Sequence, residues 1–243
     1  MGLEEHLSRQ AERSQSFFWN RLRWDLVCSR LPATRPAELV DVGAGTGFLG
    51  DVLASRFPNV AYRYIEPLES LEDTLANRFG AEANRRESET FGEADFVTLL
   101  DVLEHQEDDV SFLRDLAAKM APGSTLILTV PAMPSLWSEW DVVLGHFRRY
   151  RKDTLLSAVG DSPLEVVELS YLFPELLPLG WLRRIRRGAA DASSNGAGAE
   201  FPDLPSWVNN GLYRVGRGSM RMRRRWPAGT SLLAVMRRTG PGA

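Results

Sequence analysis

The sequence has 243 residues, 44% of them hydrophobic and 25% charged, with a formal net charge of −3; this balance predicts a globular protein with a substantial core and argues against a nucleic-acid partner. Cys28 is the only cysteine, which excludes an intrachain disulfide and a cysteine-built zinc site. No run approaches the roughly 20 apolar residues of a membrane-spanning helix, and the polar start of the chain lacks the apolar stretch of a signal peptide, so we expect a cytoplasmic protein.

The first two thirds of the chain are predicted to alternate between helices and strands. Apolar residues at spacings of four, Phe18, Leu22 and Leu26, predict an N-terminal helix within residues 3–30. The pattern that follows predicts strands at 38–42, 60–65, 94–100 and 124–130, a short strand within 81–92, and helices at 46–57, 68–79 and 107–120. This alternation indicates a parallel sheet covered by helices on both faces.

The C-terminal third has a different pattern. Strands are predicted at 163–172 and 229–238, and because no clear helical crossover joins them, we expect them to pair antiparallel at the sheet edge. The long segment between them includes a low-complexity stretch at 188–199, which predicts a loop.

A glycine-rich turn, Asp41-Val-Gly-Ala-Gly-Thr-Gly47, joins the first predicted strand to a helix. Glycines allow the backbone to turn sharply and leave its amides accessible to a ligand, and a helix N-terminus favours an anionic group. Gly45 to Gly50 also match the G-x-G-x-x-G of dinucleotide-binding enzymes, with Glu66 about 20 residues further on. An NAD-dependent oxidoreductase is therefore one interpretation.

Asp41 favours a different ligand. A carboxylate directly before the turn would repel the pyrophosphate of a dinucleotide, whereas it would attract an ammonium group. Glu66, at the end of the second strand, is positioned to accept hydrogen bonds from both hydroxyls of a ribose. S-Adenosylmethionine (SAM) carries both groups, so Asp41 and Glu66 together predict a SAM site.

Asp101 and His105 follow the strand predicted at 94–100. In an open α/β sheet, ligands bind beyond the carboxyl ends of the strands, so both side chains should face the cleft that holds the glycine-rich turn. There they could contact the methionine part of SAM or the substrate. In the alternative interpretation, Asp101 only caps the helix that follows.

Taken in order, the segments LVDVGAGTGFLG, YIEP, FVTLLDVLEH, APGSTLILTVPA, PSLWSEWD and LGHFRRY resemble those of class I SAM-dependent methyltransferases. The likeness covers about residues 38–155 and is to the type 11 and type 23 groups, related to the ubiquinone-biosynthesis O-methyltransferases. The resemblance implies an α/β, Rossmann-like fold with a seven-stranded sheet and an antiparallel last strand. SAM would be the cofactor and S-adenosylhomocysteine the product. The chain then divides into an N-terminal helical cap (1–37), a SAM-binding core (38–172), an insert (173–228), and a last strand with its tail (229–243).

The resemblance also assigns residues to the cofactor site. The methionine part of SAM would contact Asp41, Gly43, Ala44, Gly45 and Gly47, the ribose and adenine side would contact Glu66 and Pro67, and the cofactor–substrate boundary would contain Asp101, Val102 and His105. Trp19 and Arg21 resemble the aromatic and Arg residues that cover the cofactor in this family, although Trp19 fits core packing equally well. Arg86 and Glu87 stand near the expected adenine contact without a clear match.

Methyl transfer from a sulfonium is an in-line displacement, for which the enzyme aligns the acceptor and excludes water. If the acceptor is a hydroxyl, a base is useful, and His is the usual residue at neutral pH. His146 is the first candidate for the base or acceptor contact and His105 the second, while a reaction that needs no base remains open. No metal cluster is expected.

The loop that carries His146 follows the fifth predicted strand and is dense in aromatic and charged residues, which is typical of a substrate-binding wall. The acceptor contacts predicted there are Trp137, Trp140, Asp141, Arg148 and Tyr150. Alternatively, Asp141 or Tyr150 only holds His146 in position. Arg148 and Arg149 could bind an acidic group, or they could be solvated or paired with Asp141 and Glu139.

The C-terminal third is also basic. Residues 176–243 contain 12 Arg against three acidic residues and so carry +9, whereas residues 1–175 carry −12. The stretches 172–187 and 217–226 combine apolar residues, Trp and Arg, which is typical of a peripheral membrane or lipid contact. The same composition fits a homodimer interface or a cover over the substrate.

The sequence therefore predicts a SAM-dependent methyltransferase that acts on a small-molecule acceptor. The favoured acceptor group is a hydroxyl of a natural product, a quinone-like phenol, or a lipid- or sugar-linked intermediate. The alternatives are the NAD-dependent oxidoreductase and a methyltransferase-fold protein that uses SAM without methyl transfer, such as a cyclase or a binding subunit.

Overall fold

The computed structural model describes residues 17–84, 90–188 and 204–240, which build a mixed sheet. Its strands are β1 (Ala37–Val42), β2 (Val60–Ile65), β3 (Phe96–Leu100), β4 (Thr125–Pro131), β5 (Leu164–Leu172) and β6 (Ser231–Arg238). They lie in the order β2-β1-β3-β4-β6-β5. The first four are parallel, and β6 runs antiparallel to both β4 and β5. The predicted antiparallel pairing of the last two strands is confirmed.

The sheet has six strands in the described residues, not the seven that we expected. In the region predicted as the third strand, 81–92, Ala81–Ala83 form a 3-10 turn and Asn84 makes only an isolated parallel bridge to Tyr64 of β2. The segment is mostly polar, and its described residues, 81–84 and 90–92, form no strand. Residues 85–89, including Arg86 and Glu87, lie outside the described residues.

The described helices are α1 (Phe18–Cys28), α2 (Phe48–Arg56), α3 (Glu69–Phe79), α4 (Asp109–Lys119), α5 (Glu139–Val143), α6 (Lys152–Val159), α7 (Leu177–Gly188) and α8 (Ser206–Arg221). The predicted N-terminal helix is present as α1, and residues 1–16 lie outside the described part. The predicted loop at 188–199 also falls outside it, apart from its first residue. None of the helices described has the length and apolar character needed to cross a membrane.

Side chains of the central strands alternate between the two faces of the sheet. On β4, Leu126 and Leu128 pack in the layer that includes α4 and α6, whereas Ile127 packs in the layer that includes α1 and α2. All three are fully buried, as expected for a strand covered on both faces. The apolar runs that predicted the strands therefore form the core.

The insert is attached to the N-terminal helix. The Phe18 amide, at the start of α1, donates a 2.8 Å hydrogen bond to the buried side chain of Asn209 on α8. One turn along α1, Leu22 packs against Gly216, where a Cβ atom would lie only 2.3 Å from the Leu22 side chain. These contacts join α8 to α1.

Part of the basic cluster predicted at 217–226 is used inside the fold. Glu168 of β5 is buried and binds Arg223 (2.5 Å), Arg30 (3.1 Å) and Arg224 (3.2 Å). Burial alone would raise the pKa of Glu168, but hydrogen bonds from Arg223 and the charge of the other guanidinium groups lower it to about 2. The charge that this cluster offers to an anionic surface is therefore smaller than its composition indicates.

Candidate cofactor site and the adjoining histidine cluster

The glycine-rich turn between β1 and α2 has a backbone that requires glycine. Gly43 and Gly45 have φ values of 73° and 57°, in the left-handed region that residues with a Cβ atom rarely adopt. A Cβ atom on Gly43 would also lie 2.5 Å from Val102, so the turn packs directly against the loop after β3. At Gly45 no atom lies within 4 Å of the Cβ position, which leaves this face of the backbone open.

A cleft of about 190 Å³ opens above the turn. It is lined by Asp41, Gly43, Ala44, Gly45, Thr46, Phe48 and Leu49 between β1 and α2, by Leu100 of β3, and by Asn20, Arg23 and Trp24 of α1. Most of the residues predicted for the methionine part of SAM therefore surround one space. Helix α1 forms the roof of this cleft.

The roof uses a different Arg from the one that we predicted. Arg21 donates to Asn210 on α8 (3.0 Å) and lies 3.9 Å from the centre of the Tyr213 ring, whereas Arg23 lines the cleft. Successive helical residues are about 100° apart, so residues two apart lie on nearly opposite faces. Asn20 and Arg23, at a spacing of three, share the cleft face, and this spacing is the signal that could have identified them.

Trp19 packs in the core, which was the alternative interpretation of this residue. Its ring lies 5.6 Å from that of Phe173 and 4.7 Å from the guanidinium carbon of Arg23. Trp19 therefore packs against the guanidinium of Arg23 and does not itself line the cleft.

Asp41 is buried between neighbouring strands below the turn. The residue is 4% exposed, and its carboxylate accepts hydrogen bonds from the hydroxyls of Thr98 (2.6 Å) and Tyr62 (3.1 Å). Burial raises the pKa of Asp41 to about 6, although both hydrogen bonds favour the charged form. The group is therefore ionised at neutral pH but poised to take up a proton in mild acid.

Glu66 follows β2 directly and reaches across to the turn. Its carboxylate accepts hydrogen bonds from the backbone amides of Gly45 (2.7 Å) and Leu68 (3.1 Å). Burial raises the pKa of Glu66 from its ordinary value, and the two amides oppose that shift. Pro67, the next residue, is exposed. The structure thus brings Glu66 into contact with the glycine-rich turn.

Asp101 does not cap the helix that follows it. The cap of α4 is Asp108, whose side chain accepts a hydrogen bond from the Ser111 amide (2.9 Å). Asp101 has a left-handed backbone (φ 57°), accepts a hydrogen bond from Thr129 (3.1 Å) and pairs with Arg23 in the roof of the cleft. The carboxylate therefore adjoins the cleft.

Beyond Asp101, the 3-10 turn Leu103–His105 brings Glu104 and His105 against the loop that carries His146. Nε2 of His146 lies 4.0 Å from Oε1 of Glu104, and the two imidazole rings meet edge to face with 4.8 Å between their centroids. Burial raises the pKa of Glu104 well above its ordinary value, and burial together with His146 lowers the pKa of His105. We call these three residues the histidine cluster.

The sequence predicts no metal cluster, and the expectation that the site holds no metal stays a prediction. The histidine cluster nevertheless has the residue types and spacing that could hold an ion. One candidate ligand atom from each of its residues lies within 4.8 Å of the others. Sequence reasoning missed Glu104, although its position directly before a candidate site histidine was a signal. The separation of His146 from this pair along the chain concealed the rest of the cluster.

Asp141 fixes the orientation of His146. Asp141 is fully buried and accepts hydrogen bonds from the Ser138 amide (2.9 Å) and from Nε of Arg149 (2.7 Å), with Nδ1 of His146 at 3.1 Å. Burial alone would raise the pKa of Asp141, but hydrogen bonds from His146 and Arg149 lower it to about 2. An ionised Asp141 keeps Nδ1 protonated, so the lone pair of His146 is on Nε2, towards Glu104.

Asp141 and Tyr150 were predicted to contact the acceptor, and the structure corrects both predictions. Asp141 is enclosed by the contacts just described. Tyr150 is 1% exposed and donates a hydrogen bond to Asp109 (2.7 Å), which also binds Arg148 (2.8 Å). The loop folds back onto the end of β4, where Tyr150 bridges to Ala132, so its polar residues pair with one another. Their density reflects this network.

Trp137 and Trp140 stay predictions as acceptor contacts. The Trp137 side chain is exposed, and Trp140 is half-buried. Both precede Asp141 in the loop that holds His146, so they are close in sequence to the histidine cluster.

A sequence profile of the family described as Methyltransferase domain (Methyltransf_23) matches residues 17–169, which is more than half of the chain. The chain belongs to this methyltransferase family. The predicted likeness to class I SAM-dependent methyltransferases is thereby confirmed.

The chain is 30% identical over 118 residues to the ubiquinone biosynthesis O-methyltransferase of Xanthomonas campestris pv. campestris (strain B100). The match covers 45% of this chain and 49% of that protein. The chain therefore spans about half the length of the curated relative that it matches.

Solved structures share the fold of this chain. A chain of the complex between the Haloferax volcanii Trm112 methyltransferase activator and a methyltransferase has a TM-score of 0.60 at 15% identity, covering 97% of this chain and 95% of that one. The Haemonchus contortus phosphoethanolamine N-methyltransferase 2 with SAM follows at 0.58 and 13%, covering 91% and 53%. The Streptomyces coelicolor A3(2) geranyl diphosphate C-methyltransferase with S-adenosylhomocysteine has 0.55 and 16%, covering 90% and 81%. At these identities the similarity shows the Rossmann-like α/β fold alone.

Proposed function

We propose that this methyltransferase transfers the methyl group of SAM to a hydroxyl of a small-molecule acceptor. The observation that carries the proposal is the arrangement at the carboxyl ends of β1, β2 and β3. A glycine-rich turn with one open face lies between two carboxylates, and an oriented histidine cluster adjoins it through Asp101. The first part fits a cationic amino-acid nucleoside, and the second fits an acceptor that must lose a proton.

The residues around the cleft fit the groups of SAM. Asp41 would bind the ammonium group, and Glu66 would exchange the Gly45 amide for the ribose hydroxyls. The exchange leaves that amide and the N-terminus of α2 available to the ligand. Arg23 in the roof offers a counterion for the methionine carboxylate.

SAM, when bound, supplies a methyl group on a cationic sulfur; its transfer breaks the S–C bond, forms an O–C bond and returns the electron pair to sulfur in S-adenosylhomocysteine. The protein aligns the acceptor, excludes water and removes the hydroxyl proton. Because Asp141 holds Nδ1 of His146, Nε2 is the nitrogen that can receive this proton. Glu104 and His105 border the same space.

The pairing of Asp141 with His146 favours a hydroxyl over an amine. A neutral amine attacks with its own lone pair, whereas a hydroxyl near neutral pH gains much from a base. The O-methyltransferase of Xanthomonas campestris supports the same choice over the matched half of its length. We propose a natural product, a quinone-like phenol or a lipid- or sugar-linked intermediate as the acceptor.

The direct test measures transfer of labelled methyl from SAM to a panel of phenols, aliphatic alcohols and amines. His146→Ala should lose turnover on hydroxyl acceptors while S-adenosylhomocysteine still binds. Tight binding without label transfer to any acceptor would support the cyclase or binding-subunit alternative. Thermal stabilisation by NADH but not by S-adenosylhomocysteine would support the oxidoreductase.

A matched pair of variants tests the cofactor site itself. Glu66→Gln should weaken binding of S-adenosylhomocysteine about tenfold to a hundredfold, because a hydrogen bond to a charged group contributes about 1.5–3 kcal/mol. Glu69→Gln, the same change on an exposed residue of α3, should leave the affinity unchanged. Equal affinities in both variants, measured by calorimetry, would contradict the assignment.

For the insert we propose a peripheral lipid or membrane contact through 172–187 and 217–226. Leu179, Trp181 and Leu182 of α7 are exposed, and Trp207 of α8 is 78% exposed. Flotation with anionic and neutral vesicles should show binding to the anionic ones only. A homodimer seen by sedimentation without flotation would favour the subunit interface instead. The cytoplasmic location stays a prediction.

A further inference from the structure

We infer that Glu104, His105 and His146 form a binding site for a divalent transition-metal ion beside the cofactor cleft. One candidate ligand atom from each residue lies within 4.8 Å of the others. Two imidazoles and one carboxylate are a set that suits first-row transition metals, whereas Mg²⁺ and Ca²⁺ prefer oxygen ligands. The sequence separates these residues, and the fold brings them together.

Glu104 is the first observation that points to a cation. The side chain is fully buried, and neither carboxylate oxygen has a hydrogen-bond partner among the described residues. Its backbone is held in place, since its carbonyl accepts a 2.7 Å hydrogen bond from the Phe147 amide. A buried carboxylate without a partner is costly, so such a group in a fixed backbone indicates a missing ligand.

His146 is oriented in the way that a metal ligand is. In metal sites, a ligating His usually donates its second ring N–H to a carboxylate or a carbonyl, which fixes the ring. His146 directs Nδ1 to Asp141, so that Nε2 faces Glu104. The His105 ring meets that of His146 edge to face, with 4.8 Å between their centroids.

The charge around the cluster supports the same inference. Of the carboxylates near it, Asp101 pairs with Arg23 and Asp141 pairs with Arg149. Glu104 has a basic contact in His146 at 4.0 Å, and the charge of Arg23, which pairs with Asp101, also acts on it. Asp101 and Glu104 therefore share one guanidinium, and a bound cation would add a counterion for Glu104.

The distances require only a small rearrangement. Metal–ligand bonds of about 2.0–2.2 Å bring neighbouring ligand atoms to about 3–3.5 Å from one another. The ligand atoms of the cluster would therefore approach by roughly 1–1.5 Å, which rotation about the side-chain bonds can supply. Three protein ligands leave coordination positions open for an acceptor oxygen or water.

The role of the ion rests on the proposed function, but its binding does not. Beside the cofactor cleft, a cation would attract the acceptor hydroxyl and make its proton more acidic. With the ion bound, His146 would act as a ligand, and the hydroxyl would lose its proton to water as it binds the ion. The histidine cluster would thus select acceptors that can ligate a metal, such as phenols with a neighbouring oxygen.

The test uses the full chain without a polyhistidine tag, freed of metal by a chelator and titrated with Co²⁺. Calorimetry and visible absorption should show one equivalent bound. Glu104→Gln and His105→Ala should each weaken binding at least about tenfold, the lower end of what loss of a metal-site group costs. Glu165→Gln, an exposed residue of β5, should bind as the wild type does. His105 is itself exposed, so its variant keeps the test valid if Glu104→Gln does not fold.

Two outcomes would overturn the metal site. One is a wild-type protein that binds neither Co²⁺ nor Mn²⁺ at millimolar concentration, and the other is unchanged Co²⁺ affinity in both variants. If the wild-type protein bound neither ion and still transferred methyl groups in the presence of the chelator, the proposed function would stand without the metal. Loss of S-adenosylhomocysteine binding in the wild type would instead refute the proposed function, whatever Co²⁺ does.

Discussion

The buried carboxylate of Asp41 should lower the stability of the fold while it raises affinity for the cofactor. Asp41 is 4% exposed, and its pKa is about 6 in place of the ordinary 3.8. Two pKa units correspond to about 3 kcal/mol, at about 1.4 kcal/mol per unit. Asp41 binds its proton more tightly in the folded protein than in the unfolded one, so protonation of Asp41 stabilises the fold by this amount. The stabilisation is fully present below pH 3.8 and is lost as the pH rises through about 6.

Asp41→Asn removes the charge and keeps an acceptor oxygen for Thr98 or Tyr62. Near pH 7.5 the variant should be more stable than the wild type by up to about 3 kcal/mol, and at pH 5 the difference should fall to about half. Binding should change in the opposite direction. Wild-type affinity for S-adenosylhomocysteine should fall about tenfold between pH 7 and pH 5, since about one Asp41 in eleven is ionised at pH 5. The variant should bind weakly and depend less on pH.

Urea unfolding and calorimetry between pH 5 and pH 7.5 measure both quantities. A variant that is no more stable than the wild type at pH 7.5, and whose affinity has the same pH slope, would refute this reasoning. Burial also raises the pKa of Glu66, so Glu66→Gln measured in parallel isolates the contribution of the second carboxylate.

Three further sets of substitutions test other contacts. Gly43→Ala should cost about 2 kcal/mol in a thermal melt and weaken cofactor binding, because it combines a left-handed φ with a clash against the loop after β3. Gly211→Ala, in open space on α8, should stabilise by about 0.5–1 kcal/mol, and a loss of stability there would be unexpected. Arg23→Ala should weaken binding of S-adenosylhomocysteine about tenfold in calorimetry, whereas Arg21→Ala should leave it unchanged; the reverse order would favour the sequence-based assignment. Glu168→Gln should lower stability in urea by about 3 kcal/mol near neutral pH. Because its depressed pKa is about 2, the wild type should lose this contribution as the pH falls below the ordinary value of 4.5, and equal stability at pH 7 would contradict the role of the cluster.

The sheet was predictable because its strands are short apolar runs that are buried on both faces. The elements at 60–65 and 107–120 were found to within about two residues, since apolar periodicity is strong wherever tertiary packing demands it. The prediction of a strand within 81–92 failed because this apolar signal is missing there. The stretch is polar, so it carries no periodic signal, and its pairing to β2 depends on the edge that the rest of the fold leaves open.

The cofactor side of the site was more predictable than the acceptor side. Asp41 and the glycines lie in one continuous motif whose spacing follows from the turn itself. The histidine cluster depends on two loops that meet only in the folded chain, so spacing could not reveal it. Arg21 shows a third limit, since the structure places it against α8 and places Arg23 at the cleft, and which face of a helix meets a neighbouring element cannot be read from the helix alone.

The attachment of α1 to α8 has a consequence for how the cofactor comes and goes. Helix α1 forms the roof of the cleft, and hydrogen bonding to Asn209 ties that roof to an element nearly 200 residues later in the chain. Opening of the cleft by movement of α1 would therefore require α8 to move as well. Exchange of S-adenosylhomocysteine for SAM would then slow when α8 is immobilised. A surface bound to the exposed Trp207 could in this way limit the turnover rate.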